Sequence, residues 1–111
     1  MFFPVEAGPV AIFTFPNVKD GIFSAVIMDL SPGGLGLTLK KGETLIKPGD
    51  SLILTEIKGA ENLASVKNLE TEIKWIQSFK AFKHILFGCE FTNISELLKE
   101  EIQAFIDLWS L

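Results

Sequence analysis

Side chains able to act as a nucleophile and its base are scarce in this chain. The 111 residues contain one cysteine, Cys89, and one histidine, His84. Both fall in a segment with strand-like alternation, where a separation of five residues places them on opposite faces of the strand. The pattern predicts a buried thiol and an exposed imidazole rather than a catalytic pair.

The carboxylate pairs and the few potential metal ligands in the sequence do not indicate a catalytic site either. Glu70 with Glu72, and Glu100 with Glu101, fall on surfaces that the pattern places in water, which does not favour acid–base catalysis. A single cysteine excludes an internal disulfide and a cysteine-based zinc site. We therefore expect no enzyme activity, no cofactor and no structural metal.

The segment 28–37 is the most informative for chemistry, because an apolar strand ends there in a polar, glycine-rich turn. Asp29 and Ser31 carry hydrogen-bonding groups beside the turn. Gly33 and Gly34 permit positive φ and let a ligand approach bare backbone amides, as a phosphate site requires. Asp and Ser side chains also commonly stabilise their own turns. The residues alone leave both interpretations open.

The charge pattern narrows the class of partner. All ten basic residues are lysines, the net charge is -4, and the acidic residues are dispersed, which disfavours binding to DNA or RNA. Apolar runs span only a few residues, and the start of the chain lacks the features of a signal peptide. We expect a single cytoplasmic domain over residues 1–111 with no membrane insertion.

The elements that must position these residues are short strands between tight turns, as the recurring Gly and Pro signals indicate. Strands are predicted over 9–16, 21–30, 35–39, 51–57, 66–76 and 83–92. This pattern predicts a mainly β fold, either a small antiparallel barrel or a sandwich. In strand 83–92 the predicted inner face consists of Ile85, Phe87, Cys89 and Phe91. In strand 66–76 it consists of Leu69, Thr71, Ile73 and Trp75.

After residue 93 the hydrophobic period changes from two to about 3.6, which predicts an amphipathic helix beginning near residue 94. A capping pair of Asn93 with Glu96, or Ser95 alone, can satisfy its first amides. We expect the apolar stripe of the helix to be buried against the sheet or a partner. The stripe consists of Leu98, Ile102, Phe105, Ile106 and Trp109.

The order of motifs resembles the PilZ domain family, which binds the bacterial second messenger cyclic di-GMP. The family signature D-x-S-x-x-G is met by Asp29, Ser31 and Gly34. Segment 45–50 is similar to the glycine–aspartate turn of the family, segment 73–75 to its valine-x-tryptophan strand, and segment 87–91 to its closing strand.

The resemblance implies a split-type β-barrel over about 8–92, a C-terminal helix over about 94–110, and a non-enzymatic regulatory function. It implies cyclic di-GMP as a ligand, held at Asp29, Ser31 and Gly34, with Gly33 as an auxiliary, and a protein partner or self-association as the output. Family members that bind the dinucleotide carry R-x-x-x-R before the first strand, where this sequence reads Met1-Phe2-Phe3-Pro4-Val5.

No arginine occurs in the sequence, so either the chain starts too late to include that motif or the motif has been lost. Lys40 and Lys41 are the nearest cationic candidates, although lysine lacks the paired donors of arginine. Two functions stay open: a regulatory module of cyclic di-GMP signalling, and a degenerate domain for protein interaction or dimerisation that binds no nucleotide.

Overall fold

Six strands and one helix form the regular structure of this computed structural model, which describes residues 8–16, 21–40, 46–60, 63, 65–78 and 83–109 apart from the side chains of residues 40 and 109. The elements are β1 Val10–Thr14, β2 Phe23–Ser31, β3 Gly34–Lys40, β4 Ser51–Lys58, β5 Leu69–Ser78, β6 His84–Phe91 and α1 Glu96–Trp109. Every predicted strand corresponds to an observed one.

The strands close into one antiparallel barrel in the order β1-β2-β3-β6-β5-β4, with β4 pairing back onto β1. Closure selects the barrel over the sandwich, and the predicted mainly β barrel with a C-terminal helix is confirmed. Alternating side chains of each strand fill the interior. Phe13 is fully buried and contacts the rings of Phe15, Phe23 and Phe87, with centroids 5.5, 5.8 and 6.4 Å away.

The helix begins at Glu96, two residues later than predicted, because Ser95 is its N-cap. The Ser95 hydroxyl accepts a hydrogen bond from the amide of Leu98 at 3.1 Å. Ile102 and Phe105 are buried in the barrel core, and α1 packs against β2. Leu98 and Ile106 are partly buried against this core, so packing of the predicted stripe on the barrel is confirmed for these four residues, and the side chain of Trp109 lies outside the described part. No helix in the described ranges is long and apolar enough to cross a membrane.

Three register shifts interrupt the barrel wall: one in the pairing of β1 with β4, at Ile12 and Phe13, one in β2 between Ile27 and Asp29, and one in β5 between Ile73 and Trp75. A β-bulge changes which side chains point inward beyond it. The prediction that Trp75 shares the inner face with Ile73 is therefore wrong: Ile73 is fully buried, whereas Trp75 is 45% exposed on the outer face.

Candidate ligand-binding site

A cleft of about 410 Å³ lies on the outer face of the barrel, above β2, β3, β6 and β5. Its first row of residues crosses these four strands in register. The row consists of Asp29, Gly36, Gly88 and Trp75. The two central glycines carry no side chains and form the floor of the cleft, where the Trp75 indole lies over Gly88 and the Asp29 side chain approaches Gly36. The bulges of β2 and β5 direct Asp29 and Trp75 onto this floor.

A second row runs beside the first. It consists of Ser31, Gly34, Glu90 and Glu72. The residues that match the D-x-S-x-x-G signature therefore meet in one wall of the cleft, and Gly33 lines the same wall. Sequence reasoning identified this wall, whereas the opposite wall, formed by Lys74, Trp75 and Glu90, was not predicted as part of a site.

The glycine at position 34 is required by close packing rather than by its backbone angle. A Cβ atom there would collide with the carbonyl oxygen of Cys89 on β6. The described glycines with positive φ are instead Gly49 at 96° and Gly59 at 84°, so the positive φ that Gly33 and Gly34 permit is not adopted there. Position 34 brings β3 and β6 together beneath the cleft.

The turn between β2 and β3 is stabilised by its own serine. The Gly33 amide donates to the Ser31 hydroxyl oxygen at 3.3 Å, and that hydroxyl donates to the carbonyl oxygen of Gly34 at 3.3 Å. Both bonds are long and exposed, so each contributes little to stability. The structure thus shows a turn that is held by its own serine side chain. A ligand that binds Ser31 at this wall would have to replace these two hydrogen bonds.

Trp75 is positioned by the turn that precedes β4. The Gly49 amide donates to the Ile73 carbonyl at 2.7 Å, and the Ile73 amide donates to the Asp50 carbonyl at 2.9 Å. The Asp50 carboxylate closes the turn by accepting the amide of Lys47 at 3.0 Å. These bonds hold β5 just before its bulge, and the indole of Trp75 beyond it lies against Gly88, where any side chain would collide with it.

The electrostatics of the cleft are dominated by carboxylates. Lys74 donates to Glu72 at 2.7 Å, and this bond together with the charges of Glu72 and Glu90 raises the pKa of Lys74 above its ordinary value. Among the described residues, the cleft is therefore lined by Asp29, Glu90 and a lysine that is already paired. An anion would meet net negative charge here.

The role of the two lysines predicted as auxiliaries stays a prediction, because the side chain of Lys40 lies outside the described part of the chain. The backbone of Lys40 pairs with His84 at the far end of β3, four residues beyond Gly36 and about 13 Å along the strand. Lys41 lies outside the described residues.

The signal that could have revealed the second wall is glycine inside strands. Gly36 and Gly88 fall on outward positions of β3 and β6, and strand glycines often mark the close approach of a ligand or another group. Trp75 was not recognised because a bulge depends on pairing between strands, which a single strand pattern does not show.

Cys89 is buried as predicted, with 5% of its surface exposed, and His84 is exposed. Burial raises the pKa of the Cys89 thiol to about 11, although a hydrogen bond with Thr71 acts in the opposite direction. Such a thiol is a poor nucleophile near neutral pH. Within the described ranges, no group of three or more His, Cys, Asp or Glu residues is placed to hold a metal ion.

The sequence matches the PilZ domain family over residues 9–108. The chain belongs to the PilZ domain family. Among solved structures, it is similar to the PilZ domain with c-di-GMP of YcgR from Escherichia coli, with 16% sequence identity and a TM-score of 0.60. That match covers 90% of this chain and 82% of the other, and it shows a shared fold. Comparison with curated protein sequences gives no match.

Proposed function

We propose that this PilZ domain is a non-enzymatic regulatory module of cyclic di-GMP signalling, and that the cleft is its recognition site. The observation that carries the proposal is that Asp29, Ser31 and Gly34, which match the family signature, meet in one wall of an open cleft. The YcgR domain of similar fold is described with c-di-GMP.

Each part of the cleft suits a guanine base better than a phosphate. The Asp29 carboxylate can accept hydrogen bonds from the ring and exocyclic N–H groups of a guanine edge. The partly exposed indole of Trp75, which lies over Gly88, offers a stacking surface for a planar ring.

The affinity of these residues for the dinucleotide is expected to be low. No arginine occurs in the sequence, and the described lysine of the cleft is paired with Glu72. Two missing arginine–phosphate contacts of about 2 kcal/mol each would reduce affinity roughly a thousandfold. Asp29 and Glu90 add repulsion to the phosphates.

Isothermal titration calorimetry with cyclic di-GMP, at about 100 mM salt, tests the proposal. We expect a dissociation constant weaker than about 100 µM. Asp29→Asn should weaken binding further, whereas Asp107→Asn, on the exposed surface of α1, should not. A constant near 1 µM that Asp29→Asn abolishes would contradict low affinity, because it would require cations beyond those described.

The second candidate function is a protein-interaction or dimerisation domain that does not bind nucleotide. It is favoured by the exposure of Trp75 and by the excess of carboxylates around the cleft. Absence of any heat change or spectral change with cyclic di-GMP at about 1 mM would select it over the first.

A further inference from the structure

The charge of the cleft is suited to a cation. Among the described residues, the carboxylates of Asp29 and Glu90 line it, and the ammonium of Lys74 is bound to Glu72. The described charges at this surface are therefore three carboxylates, of Asp29, Glu72 and Glu90, against one ammonium. A positively charged group that enters is attracted, and salt reduces that attraction because the cleft is open to solvent.

Trp75 adds an independent feature that suits a cation. The residue is 45% exposed, which is unusual for so large an apolar side chain, and it borders the carboxylate-rich space. Indole rings attract cations placed over their faces, and arginine makes this contact more often than lysine. The bonds between Ile73 and the Gly49–Asp50 turn fix the strand that presents the indole.

The spacing of the indole and the carboxylate suits a flat cation. Asp29 and Trp75 stand at the two ends of a row of four paired residues, so their backbones are roughly 14 Å apart at the usual strand spacing. Their side chains are closer together than that, because the indole lies over Gly88 and the Asp29 side chain approaches Gly36. A guanidinium group is planar, and it can stack on an aromatic ring while its edge donates to a carboxylate.

We propose that the cleft docks an arginine side chain presented by a segment of a partner protein. The guanidinium lies against the exposed part of the Trp75 indole and donates to Glu90 or Asp29. The proposal rests on the proposed function in that it uses the same cleft, and charge complementarity selects the occupant. A phosphorylated segment would be repelled by the same carboxylates.

Calorimetric titration of the full chain with two short peptides tests the proposal. One peptide is acetylated and amidated Gly-Arg-Gly-Arg-Gly, and the other replaces each arginine by citrulline, which has nearly the same shape and no charge. We expect the arginine peptide to bind at least about tenfold more tightly. Equal affinity for the two peptides, or no binding of the arginine peptide, would overturn the proposal.

Three variants locate the binding. Glu90→Gln and Trp75→Leu should each weaken the arginine peptide by about fivefold to tenfold. Glu100→Gln is the matched control, since this carboxylate is exposed on α1, and it should leave affinity unchanged. If Glu100→Gln weakens binding as much as Glu90→Gln, the peptide responds to overall charge and the proposal fails.

Glu90→Gln also separates this proposal from the proposed function, because the two ligands have opposite charge. The same substitution should weaken the arginine peptide and strengthen cyclic di-GMP. Binding of cyclic di-GMP without preference for arginine would leave the proposed function standing and end the docking proposal. Preference for the arginine peptide without any response to cyclic di-GMP would support the docking proposal and contradict the proposed function.

Discussion

The cleft and the helix-covered core use opposite sides of the same barrel wall. On β6, Phe87 and Cys89 point inward and are buried with the side chains that pack against α1, whereas Gly88 and Glu90 point outward into the cleft. The inner side follows a regular alternation of apolar residues. The outer side is shaped by glycines and by bulges in the two flanking strands.

The inner side therefore determines the stability of the barrel, and the outer side determines which ligand it recognises. Burial of large apolar side chains on the inner side stabilises the fold, and truncating one of them costs several kcal/mol of stability. The cleft surface carries exposed charged side chains and a partly exposed indole, and replacing them costs little stability. Ligand preference can therefore change through residues such as Glu90 while the barrel stays intact.

The largest expected effect is on the inner side. Truncation after Asn93 should unfold the barrel, since the loss of several buried side chains rivals a stability of about 5–15 kcal/mol. Ile102→Ala, a smaller change at a fully buried site, should destabilise by about 2–5 kcal/mol in urea denaturation. Leu97→Ala is the matched control, because Leu97 is 67% exposed. Similar losses for both variants would show that α1 does not pack as described.

The next largest effect is expected where the two sides meet. Gly34→Ala places a methyl group against the backbone carbonyl of Cys89, so β3 and β6 must separate, at a cost of about 1–3 kcal/mol. In Gly33→Ala the nearest atom is the Ser31 hydroxyl oxygen at 3.9 Å, and stability should change by less than about 0.5 kcal/mol. Thermal denaturation of both variants measures the difference. Equal stability of the two would contradict the close packing at position 34.

Cys89 gives the inner side a dependence on pH. Its thiol has a pKa of about 11 in the folded chain, against an ordinary value of 9.0. Between these values the unfolded chain releases the proton and the folded chain keeps it, so stability decreases as pH rises. The stability difference between wild type and Cys89→Ala should shrink by roughly 2 kcal/mol between about pH 8 and pH 11. A difference that stays constant would contradict a buried, protonated thiol.

The smallest effect is expected at the helix start. Ser95→Ala removes the acceptor of the Leu98 amide and should cost about 1 kcal/mol. Asn93→Ala should cost less than about 0.5 kcal/mol, because Asn93 precedes the observed cap. A larger loss of stability for Asn93→Ala than for Ser95→Ala in urea denaturation would contradict this cap and support the capping pair of Asn93 with Glu96.

Much of the inner side can be predicted from the sequence, because the alternation of apolar and polar residues along one strand indicates which residues are buried. Cys89, Phe87 and the stripe of α1 follow from it. Half of the cleft also follows, through the motif that contains Asp29, Ser31 and Gly34. The wall formed by Trp75 and Lys74 does not, since a bulge arises from pairing with neighbouring strands. The charge balance of the cleft likewise depends on which carboxylates the barrel brings together.

The central claim, that the cleft is the recognition surface, is tested most directly by NMR mapping. Amide and indole N–H signals of the ¹⁵N-labelled chain are followed as cyclic di-GMP is added to about 1 mM. At that concentration a ligand whose binding free energy is roughly -4 kcal/mol half-saturates its site. We expect shifts concentrated at Gly33, Gly34, Gly36, Gly88 and the Trp75 indole. Shifts concentrated on α1, or none at that concentration, would contradict recognition of cyclic di-GMP by the cleft.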